Sequence, residues 1–311
     1  MNFQKLAPVE SGDELLEIAF RKAREKGKSK NLVGNWLQII RKKETLKLDI
    51  VQQIIHSRLT KTITSFPDVL ALSKFYIQLM KLTLDFPYLL KSLAALNWGN
   101  KKIHSIHRDY VRKIYQTKER QDIKNLTKQF YGRVSSIIKQ IDVHLSFLEK
   151  SRQIMRTYPD VKEMFTVCVY GFPNVGKSTF LNKLTTSKAK VASYAFTTKE
   201  INAGYFTTNG KKIQVFDVPG TLARENKMNP IELQAELVLN ELADLIVYVF
   251  DISEQGGYSI KKQEELLKKI KNKKKVLIYF SKTDLVDKIP ELKHKNYSLK
   301  ELKEKIVKES S

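Results

Sequence analysis

Gly171-Phe172-Pro173-Asn174-Val175-Gly176-Lys177-Ser178-Thr179 decides how the C-terminal half of this 311-residue chain is built. The stretch fits the pattern G-x-x-x-x-G-K-[ST]. Its glycines let the backbone curl so that successive N–H groups face phosphate oxygens. The lysine reaches the outer phosphates of a nucleotide, and the serine hydroxyl can ligate Mg²⁺. The flanks supply the context this needs. An apolar run, Phe165–Tyr170, reads as a strand in front, and Phe180, Leu181 and Leu184 mark an amphipathic helix behind. The N-terminus of that helix, near Lys177, adds its dipole to the same place. Gly171, Pro173, Asn174, Val175, Gly176, Lys177, Ser178 and Thr179 are therefore the expected phosphate-loop residues, with Lys177 also expected to act in catalysis.

Three further pieces lie downstream. Asp217-Val-Pro-Gly220 follows the apolar run Lys212–Phe216. A carboxylate at a strand end can hold Mg²⁺, usually through a water, and Gly220 leaves a backbone N–H for a γ-phosphate. Between this and the phosphate loop lies Tyr194-Ala-Phe-Thr197-Thr198-Lys199. A threonine there suits a switch that meets Mg²⁺ and the γ-phosphate, and Thr198 is preferred to Thr197. Ser178, Thr198 and Asp217 form the expected metal set. Ser281-Lys282-Thr283-Asp284 follows the apolar run Val276–Phe280 and chooses the base. It resembles Asn-Lys-x-Asp, in which the aspartate accepts hydrogen bonds from guanine N1–H and N2–H₂. Adenine cannot supply that pair, and a site built on such bonds discriminates strongly. Ser281 departs from the usual Asn. Ser298-Leu-Lys300 resembles a short Ser-Ala-Lys element near the base, and a helix N-cap at Ser298 fits equally well.

The two halves of the chain differ in periodicity. Residues 1–160 read as helical and residues 161–311 as an α/β unit. From Arg120 to Tyr158, Ile123, Leu126, Phe130, Val134, Ile137, Ile141, Leu145 and Leu148 recur at spacings of three and four, one face of a helix. Leu70 to Leu84 repeats the pattern through Phe75, Leu79 and Leu82, bracketed by Pro67 and Pro87. A helical bundle is the simplest packing. Beyond Pro159, the β-rich runs Phe165–Tyr170, Ile201–Thr208, Lys212–Phe216, Leu245–Asp251 and Val276–Phe280 alternate with helical segments. That alternation predicts a mostly parallel sheet with helices on both faces. Asn209-Gly210 predicts one antiparallel hairpin.

The net charge is +23, and it is uneven: residues 1–160 carry 30 Lys and Arg against 15 Asp and Glu. A field of this size draws a protein to polyanions, nucleic acid above all. Arg108, Arg112, Lys113, Lys124 and Lys128 are the candidate phosphate contacts, chosen by clustering. Cys168 is the only cysteine, so no internal disulfide forms, and its apolar run predicts a small core residue. No secretory signal is visible, and the run Leu245–Phe250 is too short to span a bilayer. The expectation is a cytoplasmic monomer. The five histidines form no ligand cluster.

Taken in order, the motifs resemble the Obg-related P-loop GTPases, and among them the nucleolar GTP-binding (Nog) subfamily. The residues carrying this are 171–181, 194–199, Asn229-Pro-Ile-Glu-Leu-Gln234 and Asp251-Ile-Ser-Glu-Gln-Gly256, with Gly132-Arg133-Val134 on the helix upstream. The match is strong over residues 130–285. The resemblance implies a GTPase that binds maturing large ribosomal subunits, with rRNA and ribosomal proteins as partners, and that contacts rRNA through its basic helical domain. A chain stopping at Ser311 looks like the shorter archaeal form. It also implies GTP and GDP as ligands, Mg²⁺, and in several relatives with Asn at position 174 a K⁺ ion. Thr221 and Leu222 follow Gly220, where Ras-type enzymes place a water-orienting Gln. Intrinsic turnover is therefore expected to be slow, on the order of 10⁻⁴–10⁻² s⁻¹. A nucleotide-gated RNA scaffold with negligible hydrolysis is the alternative.

Overall fold

The structure, a computed structural model, describes residues 3–27, 33–185, 190–192, 201–208, 210–219, 230–288, 292 and 294–310. In chain order its helices are α1 (Gly12–Lys26), α2 (Trp36–Ser65), α3 (Lys74–Thr83), α4 (Phe86–Gln116), α5 (Arg120–Met155), α6 (Lys177–Leu184), α7 (Pro230–Glu241), α8 (Ile260–Lys271) and α9 (Leu299–Glu309). The strands are β1 (Thr166–Tyr170), β2 (Lys190–Ala192), β3 (Ile201–Thr208), β4 (Lys211–Asp217), β5 (Leu245–Asp251) and β6 (Val276–Ser281). The chain divides into two units. One comprises Lys5–Ala71 and Leu84–Arg156, and the other Met1–Gln4, Leu72–Thr83 and Thr157–Ser311.

The first unit packs α1, α2, α4 and α5. Ser11 and Asn35 start α1 and α2 with reciprocal capping boxes to Glu14 and Gln38, and Asp85 caps α4 ahead of Pro87. α2 packs on α4 and α5, and Leu48, Val51, Ile55 and Leu59 of α2 and Leu96, Ile103 and Ile114 of α4 are all at 1% exposure or less. On α5 the expected stripe is buried except at Leu126. Thr127 lies inside where Leu126 was expected, and Ile138 joins the core. The 3.6-residue period drifts against a strict 3–4 repeat, so one stripe position shifts by a residue.

One ionic clasp holds the start of the chain to the end of α5. Glu149 accepts from the Arg152 guanidinium at 2.6 and 2.8 Å and from Val9 N–H at 2.9 Å, while Arg152 also reaches Leu6 O at 3.4 Å. The Arg152 hydrogen bond is the main cause of a Glu149 carboxyl held down to about 2, with burial opposing it and Val9 and Gln153 assisting. A carboxyl whose folded value lies below its unfolded one stabilises the fold above the ordinary glutamate range and ceases to do so as pH falls through about 2. Urea midpoints followed by circular dichroism between pH 5 and 2 are expected to fall more steeply for the natural chain than for Glu149→Gln.

The second unit is a six-stranded sheet of order β2-β3-β4-β1-β5-β6. β4, β1, β5 and β6 are parallel, and β2 and β3 run antiparallel at one edge. β1 and β5 are buried at every position, as central parallel strands must be. Thr208 pairs with Lys211 across the predicted hairpin, and Gly210 there takes φ +75°, which its missing Cβ permits. Cys168 is fully buried in β1, and burial pushes its thiol well up.

Leu72–Thr83, within the stretch expected to build the helical domain, belongs to this α/β unit. There α3 packs on α7. Phe75, Tyr76 and Leu79 are buried, while Leu82, expected on the apolar face, is 44% exposed. Tyr76 Oη donates to Pro159 O at 2.8 Å and accepts from Val161 N–H at 2.9 Å, and Phe3 packs on the rings of Tyr76 and Tyr158. Burial raises the Tyr76 hydroxyl to about 12, so it stays protonated as that donor.

Candidate guanine-nucleotide site

Sheet register assembles the site. Val169 lies beside Asp217 and Val247, and Asp251 lies beside Ser281, so the C-terminal ends of β4, β1, β5 and β6 open together. Ligands of open α/β sheets bind outside such carboxyl ends. The loop Gly171–Gly176 leaves β1 and enters α6. Its backbone is left-handed at Asn174 (φ 62°) and Gly176 (φ 91°), and Gly171 sits at φ 150°. A Cβ on Gly171 would stand 2.6 Å from the Val249 carbonyl oxygen, so only glycine fits. Such a curl points successive N–H groups into one concavity, a shape suited to phosphate.

Polar side chains meet at its mouth. Lys177, the first residue of α6, is buried, and its Nζ donates to Phe172 O at 2.8 Å, bending the ammonium back over the loop. The Ser178 hydroxyl donates to the Asp217 carboxylate, so two hard oxygen donors from different elements already converge. That pair suits Mg²⁺, which prefers carboxylate and hydroxyl oxygen and keeps several waters. Thr179 and Asn174 are exposed, and Pro173 and Val175 complete the loop.

The base-reading segment is bonded to this loop. Ser281 Oγ donates to Val175 O at 2.7 Å, with Phe250 O a second acceptor at 3.2 Å. A serine hydroxyl therefore ties β6 to the phosphate loop at the position where Asn was expected. Lys282 follows at φ 56°, and a single 3₁₀ turn, Thr283–Leu285, presents Asp284 to solvent. Ser298 opens α9. It is the N-cap of α9, accepting from Glu301 N–H at 3.3 Å in a capping box, and Asn296 bridges to Ile278 of β6. Thr197, Thr198 and Gly220 lie outside the described residues, as do Asn209, Thr221 and Leu222.

The match to known proteins follows this division. Residues 3–162 match the NOG1 N-terminal helical domain, and residues 166–282 match the model described as 50S ribosome-binding GTPase. The chain belongs to the NOG1 family. An uncharacterized protein of Methanocaldococcus jannaschii is 38% identical over 92% of this chain and 81% of its own length. Nucleolar GTP-binding protein 1 of Drosophila melanogaster is 32% identical over 92% of this chain but only 44% of its own length. The NOG1-family chain thus spans less than half of that eukaryotic relative. The solved G domain of the T. maritima FeoB iron transporter covers 48% of the chain at 29% identity with a TM-score of 0.41. The two family matches make this a P-loop GTPase domain carried with a NOG1 helical domain.

Sequence reading missed one group here. Asp251, which the sequence marks as the end of an apolar run and as part of a resemblance but gives no role, is 1% exposed and sits against Lys282. Gln263 bonds the Asp251 backbone from α8. A charged residue at the end of a fully buried strand was the available signal, since buried carboxylates are paired. Among the described residues there is no cluster of three or more His, Cys, Asp or Glu, and no helix is long and apolar enough to cross a membrane.

Proposed function

We propose that this NOG1-family protein binds GTP and GDP at the β1–α6 loop, hydrolyses GTP slowly, and serves assembly of the large ribosomal subunit. The observation that supports this most is the bond between Ser281 and Val175, which joins the phosphate loop and the base-reading turn into one pocket edge. Lys177 would place its ammonium on the outer phosphates, and backbone N–H groups of residues 174–178 would hold the rest. Ser178 and Asp217, with Thr198, would hold a magnesium ion, which supplies charge neutralisation at the phosphates when bound. Thr198 and Gly220 would complete the γ-phosphate contacts. Asp284 would read guanine.

The helical unit would bind rRNA chiefly through phosphates. Arg108, Arg112, Lys113, Lys124 and Lys128 are all exposed on α4 and α5, and Trp98 and Tyr115 lie exposed among the basic residues of α4. Such binding falls steeply with salt. The scaffold reading draws on the sequence Gly220-Thr221-Leu222, which has no residue to orient water.

Co-sedimentation with large-subunit precursors in GTP, GDP and a non-hydrolysable analogue tests the proposal, with turnover measured on and off the particle in KCl and in NaCl. The expected result is nucleotide-dependent binding, faster turnover on the particle, and faster turnover in KCl if Asn174 helps hold K⁺. Unchanged turnover on the particle would favour the scaffold; equal rates in the two salts would remove the potassium site.

A further inference from the structure

Asp251 ends β5, one strand away from the base-reading turn. Its buried carboxylate accepts four hydrogen bonds: Ser253 N–H at 3.0 Å, Ser253 Oγ at 2.7 Å, Gly256 N–H at 2.9 Å and Lys282 Nζ at 2.6 Å. The first three fix the carboxylate, and the fourth is a charge-assisted bond across strands. Lys282 is left-handed, a conformation uncommon for a lysine, so something must hold it there. Its neighbour two residues on is Asp284.

The loop that begins at Asp251 also touches the phosphate loop. A Cβ on Gly256 would stand 2.8 Å from Asp251 Oδ2 and 3.4 Å from Asn174 O, so the two backbones run close. The Tyr258 ring stacks on Phe172 with centroids 4.3 Å apart and planes 19° from parallel. Gln263, fully buried, locks the loop from behind. Its Nε2 donates to Asp251 O at 2.8 Å and Tyr258 O at 3.0 Å, and its Oε1 accepts from Asp251 N–H at 2.8 Å. Residues 251–258 therefore brace two motifs that lie about a hundred residues apart in sequence.

We infer that Asp251 is a positioning residue for purine recognition, acting through Lys282 to hold the turn that carries Asp284 while the rest of its loop grips the phosphate loop. This rests on the guanine-nucleotide reading above. Misplacing a recognition group by a fraction of an ångström weakens a bond that depends on alignment. Asp251 itself reaches no nucleotide atom in this role, so its loss acts on base preference.

The test is a double-mutant cycle on the full chain with fluorescent GDP, and with IDP, which lacks the exocyclic amino group, as competitor. Asp251→Asn is expected to weaken GDP about tenfold and to shrink the GDP-over-IDP preference several-fold. Lys282→Met reads the pair from its other side and does not depend on Asp251→Asn folding; it is expected to show the same loss of preference. The double variant is expected to bind within threefold of Lys282→Met alone. A merely structural role would lower the melting midpoint and leave the GDP-over-IDP ratio unmoved, and that result, or losses that multiply, would overturn the inference. Natural protein that binds no GDP at all would instead remove the guanine reading on which it stands.

Discussion

Lys177→Ala is expected to slow GTP turnover by about 10²–10³-fold, the size of effect seen when one preorganised donor to a developing charge is removed. The residue is placed for this by the fold. It is the first residue of α6, directly after a left-handed Gly176, so its stem leaves the loop into the concavity. Its ammonium already bonds Phe172 O, which keeps it within the loop and costs little reorganisation when phosphate arrives. Losing that bond leaves a buried carbonyl weakly satisfied, at a cost of about 1–3 kcal/mol, so the melting midpoint should drop only a few degrees. Single-turnover phosphate release and thermal melts on the same samples separate the two effects. A variant that folds and turns over within threefold of the natural chain would show that the ammonium does no chemistry.

Asp284→Asn carries the second large effect. Guanine offers two donors, N1–H and N2–H₂, and a carboxylate accepts both. Xanthine offers N1–H and a carbonyl, which an amide matches with one acceptor and one donor. The variant is therefore expected to lose about 10²-fold or more in guanine affinity and to gain affinity for xanthine nucleotides. Asp284 is exposed on a short turn, so the substitution should leave the melting midpoint within about 2 °C. Competition binding with GDP and XDP checks it. Unchanged preference would mean that another group reads the purine edge.

Much of this was legible because it is local. The glycine-bounded loop, the strands Ile201–Thr208 and Leu245–Asp251, and the Asn-Gly hairpin each announce themselves within ten residues, and the structure gives those two strands the same bounds. β2 was not foreseen. Its three residues, Lys190–Ala192, carry no apolar alternation and owe their conformation to pairing with β3. The attachment of α3 to the α/β unit was equally hidden, since a helical stripe says that a face is buried but not against what. The ties made by Ser281 and by Asp251 with Lys282 join residues 106 and 31 positions apart, and only folding brings them together. Ser281 shows the limit of motif reading most clearly. A departure from Asn suggests a weaker site, yet its hydroxyl anchors the phosphate loop directly.

The most direct test of the whole account is equilibrium titration of the natural chain with GDP and with ADP in the presence of Mg²⁺. The site described here predicts saturable binding of GDP and at least about 10²-fold weaker binding of ADP, because adenine leaves the Asp284 carboxylate unpaired. No saturable GDP binding, or equal binding of the two nucleotides, would contradict it.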